Sequence, residues 1–257
     1  MSTTTPVPSY RLFPAYCFEA SPTYNAWVKL FVADVHALRS EPDFATQKIY
    51  FFLNHPVRFV CVVGAVVAID DINTKYTILT IDDGSGATVE VKIVRLTPDT
   101  YNPVEFPSNT VVDNVHVVSR LGVFEVTVNH QPLDIGTVIK AKCTISEFRS
   151  QKQLELKRVW IVRTTNEEAE AWAETAAWKK QVLSTPWRLT SREHKQITDG
   201  INSKKQKAQQ EEQLRAERDF KSKERRKARG ERMAAREIKL ESRRRKEELM
   251  MNAGSLI

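Results

Sequence analysis

Lysines, arginines and an aromatic ring converge on one short stretch of this chain. Lys140 and Lys142 stand two apart in a run of alternating residues, Phe148 and Arg149 close that run, and Lys152 follows across a polar turn. Residue types in this order suit the binding of a single nucleic-acid strand. Ammonium and guanidinium groups track the phosphates, and an aromatic face stacks a base for about 1–3 kcal/mol. Lys92, Arg95 and Tyr76, from two earlier strand-like runs, are expected to face the same groove. The residues leave a plainer alternative open for each: Phe148 as a core aromatic, Tyr76 as an ordinary strand residue, the lysines as a solvated face.

Catalytic chemistry has no comparable cluster. The five histidines, His36, His55, His116, His130 and His194, are scattered without H-E-x-x-H or Cys-His spacing. Asp70-Asp71 and Asp82-Asp83 are adjacent pairs, whose side chains diverge, and both read as turn carboxylates that bond nearby backbone N–H groups. Gly84-Ser85-Gly86 lacks the lysine and helix start of a phosphate loop. The reading is therefore of a binding protein, not an enzyme, with no cofactor and no metal.

The elements that must position these side chains read as a small barrel. Residues 57–69 are apolar and β-branched, and polar turns at 70–74 and 82–86 join them to strands at 76–81 and 88–94 in a meander. Gly64, inside the first run, marks a strand that bends. Residues 137–148 alternate Val138, Lys140, Lys142 and Thr144 against Ile139, Ala141, Cys143 and Ile145, a strand with one face buried. A turn at 149–152 and a fifth run at 154–162 follow. Between the third and fourth runs, 97–109 carries three prolines and reads as loop, 111–118 is ambiguous between strand and helix, and 121–128 is apolar and β-branched. The expected fold class is mainly β with flanking helices: a five-stranded OB-fold barrel.

Two helices are expected beside it. Ser21-Pro22 has the form of a helix start, and Trp27, Val28, Phe31, Val32, Val35 and Leu38 recur at helical spacing, which predicts an N-terminal helix over about 21–39. Residues 166–183 are rich in Ala and Glu and predict a C-terminal packing helix. On it Ala169, Trp172, Ala176 and Leu183 share one stripe, while Trp178 and Val182 lie on another. Small residues on such a helix allow close packing, for instance in plugging its own barrel.

Charge divides the chain. Residues 201–257 hold 18 Lys and Arg against 10 Asp and Glu, leaving 21 against 22 in the first 200. A basic tail on a neutral body suits a polyanionic partner or a solubilising appendage. Between 203 and 252 there is one glycine, Gly230, and no proline, and Glu211 with Arg215, Glu217 with Lys221 and Glu241 with Arg245 stand four apart. Leu214, Phe220, Met233, Ile238 and Leu249 sustain no heptad. The expected organisation is thus an OB-fold domain over 1–190, then a charged helical or disordered tail over 191–257. Cys17, Cys61 and Cys143 are far apart and read as buried free thiols. The N-terminal MSTTTPVPSYRLFP lacks signal-peptide character and no run has bilayer-spanning length, so an intracellular soluble protein with no membrane partner is expected.

Four segments in order, SPTYNAWVKLFVADVHAL, FLNHPVRFVCVVGAVVAID, IDDGSGATVEV and IGTVIKAKCTISEFR, resemble the N-terminal OB domain of the Stn subunit of the telomeric CST complex, a family related to the replication protein A middle subunit. The resemblance covers residues 10–187. It implies a heterodimer with a small OB-fold Ten subunit, binding of single-stranded telomeric DNA, and assistance to fill-in synthesis by DNA polymerase α-primase. The large CST subunit is a further implied partner, and the implied location is the nucleus, at chromosome ends. It also implies roles for particular residues. Phe148 aligns with an aromatic position at the end of its strand, Asp82 resembles a partner-contacting aspartate, and Trp172, Ala176 and Leu183 lie on the helix that would meet the partner. Ile93 stands where relatives can place an aromatic. Many relatives continue into winged-helix domains, where this chain has its charged tail. Two alternatives remain: a protein-docking adaptor whose barrel does not bind DNA, and a general replication protein A-like middle subunit.

Overall fold

The computed structural model describes residues 10–97, 108–120, 123–149 and 151–253. Contacts divide the chain into two units, residues 1–189 and 190–257. In chain order the first unit contains a 3-10 turn over Ala15–Ala20, β1 (Trp27–Lys29), α1 (Val32–Ala37), β2 (Arg39–Ser40), a second 3-10 stretch over Pro42–Gln47, β3 (Tyr50–Phe52) and β4 (His55–Val57). Next come β5 (Phe59–Asn73), β6 (Tyr76–Asp82), β7 (Thr88–Val94), β8 (Val115–Arg120), β9 (Val123–Val128), β10 (Gln131–Pro132), β11 (Val138–Phe148) and β12 (Gln151–Ile161). The unit ends in α2 (Thr165–Trp178), which continues as a π turn over Lys179–Leu183.

Five strands close a barrel in the order β5-β11-β12-β7-β6, with β6 pairing back onto β5. All of its pairs are antiparallel except β12 with β7, which is parallel. This is the OB-fold order expected from the strand runs. Mostly apolar, largely β-branched residues at alternate positions drive it: Thr77, Leu79 and Ile81 on β6, Val89, Val91 and Ile93 on β7, and Ile139, Ala141, Cys143 and Ile145 on β11 all point into one buried core. β5 is long enough to share one edge between two neighbours, β1 at Phe59–Cys61 and β6 from Ala65 onward. Gly64 stands at that change of partner. A β-carbon there would lie 2.4 Å from the Asp82 carbonyl oxygen, so the strands close only around a residue without a side chain.

The helix expected over 21–39 does not form, and this is a correction. Ser21 and Thr23 bond through their hydroxyls, and the Thr23 hydroxyl donates to the Pro56 carbonyl at 2.8 Å. Trp27–Lys29 then pairs in parallel with Phe59–Cys61 as β1, and only Val32–Ala37 is helical. The spacing was ambiguous because Val28, Val32, Val35 and Leu38 are all buried, the first on a strand and the others around a single short helix. An unpaired edge of β5 outweighs local helical periodicity. The ambiguous stretch at 111–118 resolves as strand from Val115, part of a three-stranded sheet in the order β10-β9-β8. Most of the loop expected at 97–109 lies outside the described residues.

A second, smaller core forms where the N-terminal segment meets the residues after α2. Cys17, Phe18, Ile49, Phe51 and Trp187 are buried together, with Phe13 against Trp187 at 4.8 Å between ring centres. Asn54 fastens this seam: its amide donates to the carbonyls of Arg11 and Trp187 and its carbonyl accepts from the Trp187 N–H. His55 adds a ring contact at 2.8 Å to the Thr185 carbonyl. All three cysteines are free and buried.

The second unit is α3 (Ser191–Ala253), a single helix of 63 residues, about 95 Å long at 1.5 Å per residue. Its described side chains are almost all exposed, and Glu217 with Lys221 and Glu241 with Arg245 form ion pairs four apart. Among the described residues no helix is long and apolar enough to cross a membrane.

Candidate nucleic-acid and partner surfaces

Strand parity decides which of the expected residues are offered to solvent. On β11 the even-numbered positions point outward, so Lys140, Lys142, Thr144, Ser146 and Phe148 share the outer face. Phe148 is 57% exposed at the tip of the β11–β12 hairpin, with the Arg149 guanidinium 5.2 Å from its ring centre. Arg149 itself adopts φ 50°, the left-handed conformation that turns the chain back. Lys152 is half-buried, and its ammonium donates to the His36 carbonyl at 2.9 Å, capping the C-terminal end of α1. Lys140 and Lys142 stand well down the ribbon, six or more residues from Phe148, so the basic run is split into a tip and a base.

The outer face of β6 and β7 gathers Tyr76 and Lys92, whose ammonium lies 5.4 Å from the Tyr76 ring centre. Arg95 is not with them. Three residues after Lys92 on an extended chain it takes the opposite face, and its side chain is 8% exposed, donating to Asp71 and Thr77. The expectation that Lys92 and Arg95 face one groove is thereby corrected. Charges on this face alternate in sign. Glu90 accepts from Gln153, and Glu155 lies across from Lys92 in the β12–β7 register. Burial pushes the Glu155 carboxyl up, but the hydrogen bond and charge of Lys157, together with Lys92, outweigh it and hold the group below the usual carboxylate range.

The α2 helix is capped by Thr164, whose side chain accepts from the Glu167 N–H. Ala171, Thr175, Trp178 and Val182 form its barrel-facing stripe, while Trp172, Ala173 and Ala176 are exposed. Leu183, expected on the outward stripe, is fully buried in the barrel core. The π turn explains the correction, since five residues wound more loosely than an α-helix retard the next side chain by roughly a quarter turn. Leu183 therefore plugs the barrel, as the alternative reading had it. Lys179 secures the same end, donating to both Asp34 oxygens at 2.7 and 2.9 Å.

The 82–86 turn does more than reverse the chain. Asp82 accepts from the Gly84 N–H at 2.8 Å, the ordinary chemistry of such a turn. Asp83, 6% exposed, accepts from the Ser85 N–H and from the Val32 N–H at 2.7 Å, and the Ser85 hydroxyl accepts from the Ala33 N–H. The turn thus caps α1 from 51 residues away. Beside it, Phe31, Gly84, Ser85, Trp172, Ala173 and Ala176 line an open, mainly apolar groove of about 560 Å³. Asn54 and Lys179 were not singled out from the sequence and Asp83 was read there only as a turn carboxylate, since each also acts on a residue more than 50 positions away.

The five-stranded barrel, with its basic, aromatic hairpin tip and outward apolar helix stripe, is an OB fold. The comparisons are more specific. The family model described as telomere regulation protein Stn1 matches residues 5–254, and the chain belongs to that family. It is 26% identical over 161 residues to protein stn1 of Schizosaccharomyces pombe (strain 972 / ATCC 24843), an alignment covering 63% of this chain and 41% of the relative. The chain thus spans about two fifths of that relative's length. A crystal structure of yeast Stn1 and Ten1 shares the fold, with TM-score 0.53 at 16% identity over 74% of this chain and 91% of the other. The crystal structure of the S. pombe Stn1-ten1 complex gives TM-score 0.44 at 22% identity, covering 62% and 96%.

Proposed function

We propose that this chain acts at telomeres, in the nucleus, as the Stn-type subunit of a CST-like complex. In this role it joins a small OB-fold Ten-type partner, contributes to holding single-stranded telomeric DNA, and aids fill-in by polymerase α-primase together with the large subunit. The observation that carries the reading is the groove between α2 and the 82–86 turn. Trp172 is 42% exposed there, and the small side chains of Ala173 and Ala176 with Gly84 leave room for another helix at close range. Family membership over residues 5–254 supplies the biological setting.

A second reading, the docking adaptor whose barrel touches no DNA, draws support from the mixed charges on β6, β7 and β12. Co-expression with a small OB-fold partner and sizing of the product tests the first reading. An Ala176→Arg substitution places a long cation in the groove and should abolish the heterodimer while the far-ultraviolet spectrum stays unchanged. A heterodimer that survives both Ala176→Arg and Trp172→Ala would refute the assignment of this groove.

A further inference from the structure

The outer faces of β1, β5, β11 and β12 carry an arrangement that the groove on β6 and β7 lacks. Aromatic and cationic side chains follow one another in a ladder. The Arg58 guanidinium lies 4.9 Å from the Tyr24 ring centre and 5.1 Å from that of Phe59. Phe59 stands 5.0 Å from Trp27, and the Lys142 ammonium is suspended between Trp27 at 5.5 Å and Trp160 at 5.4 Å. Strand register builds this ladder, because Trp27 pairs with Phe59, Lys142 with Cys61 and Arg158, and Lys140 with Trp160. Trp160 is 40% exposed, Arg158 is exposed, and Trp27, Arg58 and Lys142 are half-buried.

The charge balance sets this face apart. Five cations, Lys29, Lys140, Lys142, Arg58 and Arg158, gather here against three acids of α2 at its margin: Glu174, held below its usual range by the hydrogen bond from Lys29 at 2.7 Å, and Glu167 and Glu170, which line one pocket with Lys140 and Trp160. On β6 and β7, by contrast, Lys92 is flanked by Glu90 and Glu155. A cation clamped between two indoles is already ordered before a ligand arrives, so little side-chain freedom is lost when a phosphate meets it. The neighbouring ring faces are sequence-tolerant platforms for bases.

We propose that this ladder, centred on Trp27, Lys142 and Trp160, is the principal surface on which the barrel holds single-stranded nucleic acid, with Arg158 and Arg58 drawing the phosphates. The inference rests on the reading of the chain as a single-strand-handling subunit, and adds which face does the work.

Fluorescence anisotropy of the full chain with a short labelled single strand, titrated between about 50 and 200 mM salt, tests it. Trp160→Ala and Arg158→Glu probe the ladder; Tyr76→Ala and Lys92→Glu probe the other face. Arg158 is exposed, so its substitution stays informative if Trp160→Ala destabilises the barrel. The expected result is a loss of about tenfold for each ladder variant, a shallower salt slope for Arg158→Glu, and less than about twofold for the comparison pair. Losses confined to Tyr76 and Lys92, or equal on both faces, overturn the assignment while leaving the single-strand reading intact. A parent chain that binds duplex as well as single strands overturns both.

Discussion

Replacing Gly64 with alanine perturbs the point where the barrel closes. The new β-carbon would stand 2.4 Å from the Asp82 carbonyl oxygen and 2.8 Å from both the Asp82 carbonyl carbon and Ile81 Cγ2. Ordinary contact begins at 3.4 Å, so β5 and β6 must part by about 1 Å there. The ladder has little slack, because Ala65 pairs with Asp82 and Val66 with Ile81 immediately alongside. Overpacking costs about 1–3 kcal/mol, and the obstacle is backbone, which favours the upper end. Alanine returns about 0.5–1 kcal/mol by restricting the unfolded chain. The net loss is about 2 kcal/mol, which at a urea slope of about 2 kcal/mol/M lowers the midpoint by about 1 M, and lowers the melting temperature by about 4–8 °C. Urea titration followed by circular dichroism measures it. Gly84→Ala is the control: nothing lies within 4 Å of its β-carbon but φ is +75°, so it should cost about 1 kcal/mol through backbone strain alone. A Gly64→Ala midpoint within about 0.2 M of the parent would show that the close approach does not govern closure.

Two further outcomes are expected. Burial pushes His55 below its ordinary 6.5, more than the Thr185 carbonyl, which favours the charged ring, pulls it back. Below that ordinary value the unfolded chain takes up a proton that the folded one refuses, so stability is full above pH 6.5 and falls by up to about 1.4 kcal/mol per pH unit as pH drops toward the native value. Melting temperatures at stepped pH should show this slope, and His55→Gln should flatten it; equal slopes in parent and variant would exclude His55 as its source. Asp83→Ala leaves the Val32 and Ser85 N–H groups without their acceptor, at a cost of about 2 kcal/mol. It should weaken partner binding with the melting temperature, whereas Asp82→Ala should cost under about 1 kcal/mol; chemical denaturation of both variants side by side checks the contrast.

The residues by themselves determined the parts of this protein that depend on local pattern. Period-two burial marks β6, β7 and β11, apolar runs mark β5 and β12, and their order along the chain is that of an OB-fold barrel. The four motifs quoted from residues 21 to 149 pointed to the family that matches 5–254. The helix at Thr165–Trp178 was legible from Ala and Glu content and from spacing. Where a side chain's fate depends on a distant neighbour, pattern gave no purchase. Residues 27–29 could be helix until the free edge of β5 claimed them as a strand. Leu183 shared a stripe with Trp172 until a π turn rotated it into the core. Arg95 found Asp71 and Thr77 rather than solvent. The ladder's stretch from Trp27 through Phe59 and Lys142 to Trp160 draws on four separate strands, brought side by side by register. Propensity and periodicity act over a few residues, whereas these outcomes depend on pairing partners tens of residues away, and only the closed barrel supplies them.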